Sequence, residues 1–258
     1  MTNKELFLTV VERLKAEPFL NGFKFRKRDS SFFKQDGDLR QSIELDHWSK
    51  YGLLIIYPIY GVRFEILLKW FEVYSFKTLQ DQRDIPSVDF TGNMLGKKDE
   101  FAVTEENFEQ AYRTLRDTLA ECTNMVFSTY TSLQDMYNLE IIPILNGKKQ
   151  LPDIGADWVF RNLTLTRIVS PNDYERVKEL ILAQVRFMAG RNEPNIIEYI
   201  PRLDDIISTV ESEEDASEDV GHRMIQPGQT SVSDGETGYE NRPTGRPVST
   251  RFLHRKCG

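Results

Sequence analysis

The 258-residue sequence predicts an α+β protein, in which an antiparallel sheet formed mainly by the N-terminal half packs against about five helices. Residues 23–64 alternate between apolar and polar side chains and contain short turn signals, which indicates three or four consecutive strands. The remaining chain up to residue 210 contains apolar residues at helical spacing. Helices are predicted near 4–16, 64–76, 104–128, 171–189 and 195–210.

The first helix is predicted by an apolar stripe that includes Leu6, Val10 and Leu14. Thr2 and Glu5 have the spacing of a capping box, in which each side chain accepts the other residue's backbone N–H. Charged residues interrupt the stripe, so the segment does not have the composition of a signal peptide. No stretch approaches the ~20 apolar residues that cross a bilayer. The sequence therefore predicts no membrane association and a cytoplasmic location.

Residues 39–47 form the clearest strand. Leu39, Ile43 and Leu45 share one face, whereas the residues on the other face are polar or charged. The run 53–57 is apolar on both faces, which is typical of a strand that is covered on both sides. These two strands are predicted to form the centre of the sheet.

Turns are predicted at 36–38 and 51–52, because each contains a glycine that accepts a positive φ. Pro58 cannot donate a hydrogen bond to a neighbouring strand. It is therefore predicted to mark a bulge or the point where strand pairing stops.

The chain after residue 76 contains weaker strand signals. Short strands are predicted at 88–90 and 101–103, within a region that is otherwise loop. A hairpin is predicted at 139–154, with the Asn-Gly pair at 146–147 as its turn. Pro143 would place the first strand of that hairpin at a sheet edge.

The later helices have recognisable ends. Thr104 is predicted to cap the helix that follows it, and the Ser-Pro-Asn-Asp sequence at 170–173 is a strong helix start. Gly190 is predicted to cap the C-terminus of that second helix. The last helical pattern is interrupted or restarted at Pro201.

The composition changes after Val210. Residues 211–258 begin with an acidic run and then contain few large apolar side chains, so they cannot bury enough surface to offset their ordering entropy. We therefore expect one α+β domain at 1–210 and a disordered polar tail at 211–258. A subdivision of the domain near residue 135 is the alternative.

The overall charge and the cysteine content limit the function classes. The formal net charge of −7 disfavours nucleic acid as a partner, because proteins that bind nucleic acid usually present a net positive surface. The two cysteines, Cys122 and Cys257, lie far apart in the sequence and do not form a disulfide framework. This cysteine usage suits a reducing compartment.

The sequence contains no recognisable catalytic constellation. Of the three histidines, His222 and His254 fall in the predicted tail, which leaves His47 for the folded part. Cys122 lies on an apolar helical stripe and is predicted to be a buried structural thiol. There is no nucleotide-binding glycine motif and no zinc-ligand spacing, so we predict no cofactor, no metal and no catalytic residues.

Two sets of residues are candidate binding surfaces. The aromatic set lies at a strand end and consists of Asp46, His47, Trp48 and Tyr51. The basic set lies on the first strand and consists of Lys24, Arg26 and Arg28. Exposed aromatic residues often anchor protein partners, but they also often cap a core. Basic residues interleaved with aromatic ones contact nucleic acid, but a charged edge strand also discourages pairing with other chains.

The order of the first elements resembles a known group of bacterial proteins. A helix leads into "GFKFRKRDSSFF" at Gly22, followed by a "QSIEL" strand and an apolar strand that ends in "YPIYGVRFE" at 57–65. This resembles small bacterial α+β domains of unknown function, several of which lie beside polymorphic toxins and include immunity-type proteins. The resemblance covers residues 1–135 and, more loosely, the helices up to 210, and it transfers no catalytic residue.

These observations favour a non-enzymatic protein-binding module as the function, and the resemblance implies an immunity-type inhibitor of a toxin. A protein partner is expected, and the acidic balance would suit a basic one. One alternative is a nucleic-acid-associated or carboxylate-dependent enzyme that uses scattered carboxylates and the basic set. Another is an accessory protein of phage defence or of a mobile element.

Overall fold

The computed structural model describes residues 1–68, 74, 82–83, 85–151 and 156–212. The predicted polar tail from residue 213 onward lies outside these residues. The predicted helix at 64–76 is a 3₁₀ turn at Glu65–Leu68, and most of its remainder lies outside the described residues.

The α+β prediction is confirmed: the described residues form one six-stranded antiparallel sheet and a set of helices. The strands are β1 Lys24–Arg26, β2 Ser31–Asp36, β3 Leu39–Lys50, β4 Leu53–Phe64, β5 Val88–Thr91 and β6 Phe101–Val103. The helices are α1 Asn3–Leu14, α2 Phe108–Thr129, α3 Leu133–Glu140, α4 Ile142–Leu145, α5 Ala156–Val169, α6 Tyr174–Gly190, α7 Pro194–Ile197 and α8 Leu203–Ser212.

The sheet is built around β3 and β4, which pair along their whole length from Leu39↔Phe64 to Lys50↔Leu53. β2 and then β1 extend the sheet on the free side of β3. On the other side of β4, β5 and β6 pair with different parts of the same strand. The predicted short strands at 88–90 and 101–103 are therefore confirmed.

Both predicted turns are present. Gly37 has a φ of 56°, and Tyr51 and Gly52 have φ values of 52° and 80°. Two central residues with positive φ match the right-handed twist of the flanking strands in a two-residue hairpin. This geometry holds β3 and β4 in register at Lys50↔Leu53.

Pro58 is predicted to mark a bulge or the point where strand pairing stops, and the structure confirms an interruption on one side of β4 only. Pairing with β3 does not stop, because Pro58 lies opposite Leu45 within a continuous register. The Leu45 N–H donates to Ser30 O at 2.9 Å, away from β4, so Leu45 and Pro58 form a pair without hydrogen bonds. The nitrogen of Pro58 faces the other edge, where β5 ends opposite Ile59 and β6 begins opposite Ile56. The interruption therefore falls on that side of β4 alone.

One face of the sheet forms the core against α1 and α2. Alternate residues of β3 and β4 point to this face and are almost completely buried, as shown by Ile43, Ile56 and Tyr60. The stripe of α1 packs here, and its capping box between Thr2 and Glu5 is formed as predicted. The stripe of α2 packs beside it. The buried residues of α2 are Tyr112, Leu115, Leu119, Cys122, Thr123, Val126 and Phe127.

The predicted hairpin at 139–154 is wrong, because α3 and α4 occupy its first half. Pro143 lies in the first turn of α4, where a missing N–H costs nothing. Gly147 has a φ of 66° and follows the end of this helix. The Lys148 N–H donates to Pro143 O at 2.8 Å, which is the bond that closes a Schellman motif. The Asn-Gly pair therefore ends a helix instead of turning a hairpin.

Other helix ends differ by a few residues from the sequence prediction. The N-cap of α2 is Asn107, and Thr104 forms a turn before it, accepting from the Asn107 N–H at 3.2 Å. At the end of α6, the positive φ belongs to Asn192 and not to Gly190. The 3₁₀ turn Ile200–Arg202 precedes α8, so the restart at Pro201 is confirmed.

Helix α5 was not predicted, and its sequence explains why. Its described side chains are buried on more than one side, including Phe160, Leu163 and Leu165 as well as Asn162 and Thr166. A helix that is covered all round lacks the apolar stripe from which a helix is recognised.

The second face of the sheet is partly covered by the segment that leads into β5. The guanidinium of Arg63, whose residue is only 5% exposed, donates to the carbonyl oxygens of Gln82 at 2.6 Å and Ile85 at 2.9 Å. Its Nε also donates to Glu65 at 2.7 Å. The segment approaches β4 closely at Gly61. A Cβ on Gly61 would lie 3.2 Å from Cβ of Pro86 in this segment and 2.7 Å from Oγ of Ser42 on β3.

We therefore expect Gly61→Ala to lower the free energy of unfolding by about 1–3 kcal/mol, because the added methyl group overfills this contact. Gly190→Ala is the matched control, since nothing lies within 4 Å of its Cβ position. The control should be neutral or slightly stabilising. Urea denaturation followed by circular dichroism measures both variants, and equal stability of Gly61→Ala and wild type would contradict the close approach.

Candidate functional site

The aromatic set lies at the distal end of the β3–β4 hairpin. Residues 46–50 are all exposed, in contrast to the buried positions 43 and 45 earlier in the same strand. Tyr51 is 92% exposed in the turn itself, and Trp48 is 38% exposed. The Trp48 ring contacts Tyr57 on β4, with 6.3 Å between the ring centroids. The hairpin therefore presents aromatic side chains on a backbone that the strand pairing holds in place.

His47 has a different role from its neighbours. Its ring stacks on Phe7 of α1, with 3.7 Å between the centroids and 10° between the planes. Its Nδ1 lies 3.1 Å from Leu45 O. These contacts fix the imidazole between the sheet and α1, so it joins the hairpin to the core side of the protein.

The basic set lies on the edge strand β1 and in the turn after it, on the β2 side of β3. Arg26 forms an ion pair with Asp29, and its guanidinium lies 5.3 Å from the centroid of Phe33. Partial burial acts to raise the pKa of Asp29, but hydrogen bonds from Arg26 and Ser31 outweigh it and hold this pKa below its usual value. Arg26 therefore stabilises the turn between β1 and β2.

The other two basic residues are more accessible. Lys24 and Arg28 are exposed. β2 lies between β1 and β3, and the register places Arg26 opposite Ser31, which pairs with Glu44, two residues before Asp46. The two sets therefore lie on different strands with β2 between them.

Acidic residues that the sequence analysis did not select lie near the hairpin tip. An open cleft of about 470 Å³ is formed by the first turns of α1 and α2. Its carboxylates are Glu105, Glu106 and Glu109. The Met1 amino group contacts Glu105 at 2.6 Å, and Arg13 contacts Glu109 at 2.6 Å. The hydrogen bond from Arg13 lowers the pKa of Glu109, so this carboxylate is ionised at neutral pH.

The N-terminal residues connect the hairpin tip to this cleft. Asn3 Nδ2 donates to Ser49 Oγ at 2.8 Å, and Met1 reaches Glu105. We define the tip surface by its exposed aromatic and acidic residues. These are Asp46, Trp48, Tyr51, Glu105 and Glu106. Asn3 and Met1 contact one region each, although Asp46 and Trp48 point to the sheet face away from α1. No local sequence signal connects residues about 55 positions apart.

The described residues contain no group of three or more His, Cys, Asp or Glu side chains that could hold a metal ion. Cys122 is fully buried beneath the sheet. Burial raises the pKa of its thiol, and the nearby Tyr60 hydroxyl only partly opposes this effect. A protonated and inaccessible thiol is a poor nucleophile.

No helix in the described part of the chain is sufficiently long and apolar to cross a membrane. No family model, no curated protein and no solved structure matches this chain.

We expect Cys122 to resist thiol reagents in the native state. In a Cys257→Ser variant, which leaves Cys122 as the single thiol, an aromatic disulfide reagent should react only after denaturant is added. Rapid modification of the folded variant would contradict the burial of this side chain and would return Cys122 to the list of candidate nucleophiles.

Proposed function

We propose that this chain is a non-enzymatic protein-binding module that recognises a basic partner protein through the tip surface. The observation that carries this proposal is the exposure of Trp48 and Tyr51 on a paired hairpin, whose tip Asn3 contacts while the neighbouring Met1 contacts Glu105. Aromatic side chains supply large contact areas with few rotatable bonds, and they are common energetic centres of protein interfaces. The β3–β4 pairing fixes their backbone before binding, so little conformational entropy is lost.

The charge distribution supports a basic partner. The chain has a formal net charge of −7, which attracts a positively charged protein over a distance of several ångströms at physiological salt. Glu105 and Glu106 lie in the first part of the cleft beside α2 and are exposed. Complementary charge of this kind mainly increases the association rate and excludes acidic competitors.

An immunity-type inhibitor is the specific form of this proposal. Such a protein binds a toxin tightly and needs no catalytic group of its own. The tip surface, with its aromatic and acidic residues, would then cover a basic surface of the toxin. Residues 1–135 resemble small bacterial α+β domains of unknown function, a group that includes immunity-type proteins. This resemblance and the acidic balance support this form.

The test uses the product of the neighbouring gene as the partner, co-expressed with the full chain. We expect a complex whose dissociation constant rises with salt concentration. Tyr51→Ala should weaken it by about 10- to 100-fold, as expected for an aromatic residue at the centre of an interface. Glu106→Lys should lower the association rate several-fold at low salt and have less effect at high salt.

Phe187→Ala is the matched control, since Phe187 is also an exposed aromatic residue, 54% accessible on α6. It should leave the complex unchanged. Calorimetry and surface plasmon resonance measure the affinities and rates. If no complex forms with the wild-type chain, or if Phe187→Ala weakens it as much as Tyr51→Ala does, the tip surface is not the binding site.

A further inference from the structure

The distal half of β3 has an unpaired edge. β2 pairs with β3 from Leu39 only as far as Glu44, and a last hydrogen bond joins Leu45 N to Ser30 O. From Asp46 to Lys50, β3 pairs with β4 on one side, and no described strand lies on the other. All five of these residues are exposed.

The direction of the backbone groups on this edge follows from the Leu45 bond. In an antiparallel strand, alternate residues direct both their N–H and their C=O to the same side. Because Leu45 faces β2, His47 and Ser49 also face that side. Within the described part of the chain, no group bonds to the backbone N–H or C=O of either residue. Two donors and two acceptors therefore remain open for another strand.

We infer that a second copy of this chain pairs with this edge, so that the protein forms a symmetric dimer through β3. The sequence Asp-His-Trp-Ser-Lys at 46–50 is complementary to itself when two copies run antiparallel about a two-fold axis at Trp48. Asp46 then lies opposite Lys50 of the second copy, and His47 lies opposite Ser49. This register pairs the two residues with open backbone groups and gives about four new hydrogen bonds.

The side chains fit the same register. Asp46, Trp48 and Lys50 lie on the face opposite the one that His47 presents to α1. Among the described residues, neither Asp46 nor Lys50 has an ion-pair partner, and in the dimer each gains one from the other copy. The two Trp48 rings meet at the axis, in a cross-strand position where side chains are closest.

An exposed apolar residue on α1 supports this edge as an interface. Leu8 is 43% exposed. It shares a helix face with Lys15, seven residues later, and Lys15 Nζ lies 5.4 Å from the ring centroid of Phe25 on β1. This face of α1 therefore points to the β1 side of the sheet, beside the open part of β3.

The structure also limits the length of the pairing. In this register Tyr51 of the second copy would lie opposite Leu45, where Ser30 is already bonded. Pairing therefore ends at Lys50. Five residues per copy give a small interface, and we expect a dimer with a dissociation constant on the order of micromolar.

Sedimentation velocity on the full chain alone tests this inference, over about 5–500 µM protein, a range that brackets the expected affinity. The wild type should reach twice the monomer mass of 30.0 kDa at the higher concentrations. Asp46→Lys or Lys50→Asp alone places like charges opposite each other and should weaken the dimer by about tenfold or more. The double variant restores both opposite-charge pairs and should recover the wild-type dimer.

Ser49→Pro removes a backbone donor from the open edge, so it should also give a monomer. Asn3→Ala is the matched control, because it removes the side-chain bond to Ser49 and leaves the edge intact. A wild type that stays monomeric throughout the range would overturn the inference. So would single charge variants that dimerise normally, or a folded double variant that stays monomeric. Asp46 and Trp48 belong to both the tip surface and the paired segment, whereas Tyr51 and Glu106 lie outside the paired segment. Tyr51→Ala and Glu106→Lys therefore test partner binding separately from dimer formation.

Discussion

The pairing of β3 with β4 is the interaction on which the rest of the structure depends. Each strand has twelve residues, and they are joined by a two-residue turn without a break in register. Every other strand pairs with one of these two or, in the case of β1, with β2. The core face of the same hairpin packs against α1 and α2. A shift of one residue in this register would exchange the buried and exposed side chains of both strands.

The unequal lengths of the strands create the functional features. β2 begins with Ser31 opposite Glu44 in the middle of β3, so the distal part of β3 extends beyond its neighbour on one side. On the other side, β6 still pairs with β4 near the tip and keeps the hairpin attached to the sheet. The exposed aromatic residues, the open backbone edge and the adjacent carboxylates therefore occur at one end of the protein. Edge strands are usually protected from pairing with other chains by charged side chains or by their short length. β1 has both kinds of protection, whereas the open part of β3 has opposite charges at its two ends.

The sequence was sufficient for features that depend on local chemistry. Alternation predicted β3, glycines predicted both hairpin turns, and the spacing of Thr2 and Glu5 predicted the capping box. Prediction failed where tertiary contacts, and not the local sequence, determine the secondary structure. The Asn-Gly pair at 146–147 suits a hairpin turn and a helix end equally well, and the helical stripe of α3 decides between them. α5 lacks a stripe because it is buried.

The candidate site was predictable only in part for the same reason. Trp48 and Tyr51 follow an alternating strand, so their position near its end could be predicted from their neighbours. Glu105 and Glu106 follow Thr104 just before α2, where acidic side chains are common because they favour a helix N-terminus. Their place beside the tip depends on α1, whose Asn3 and Met1 contact both regions. The end of β2, which leaves part of β3 open, is also set by the length of a turn and not by any signal in β3.

Amide hydrogen exchange of residues 46–50, measured by NMR in dilute solution, distinguishes the paired from the open backbone groups at the hairpin tip. We expect slow exchange at Asp46, Trp48 and Lys50, whose N–H groups bond to β4, and fast exchange at His47 and Ser49, whose N–H groups face the open edge. Protection of His47 and Ser49 should then increase with protein concentration. Slow exchange of all five amides in dilute solution, or fast exchange of all five, would contradict an open edge on a firmly paired hairpin.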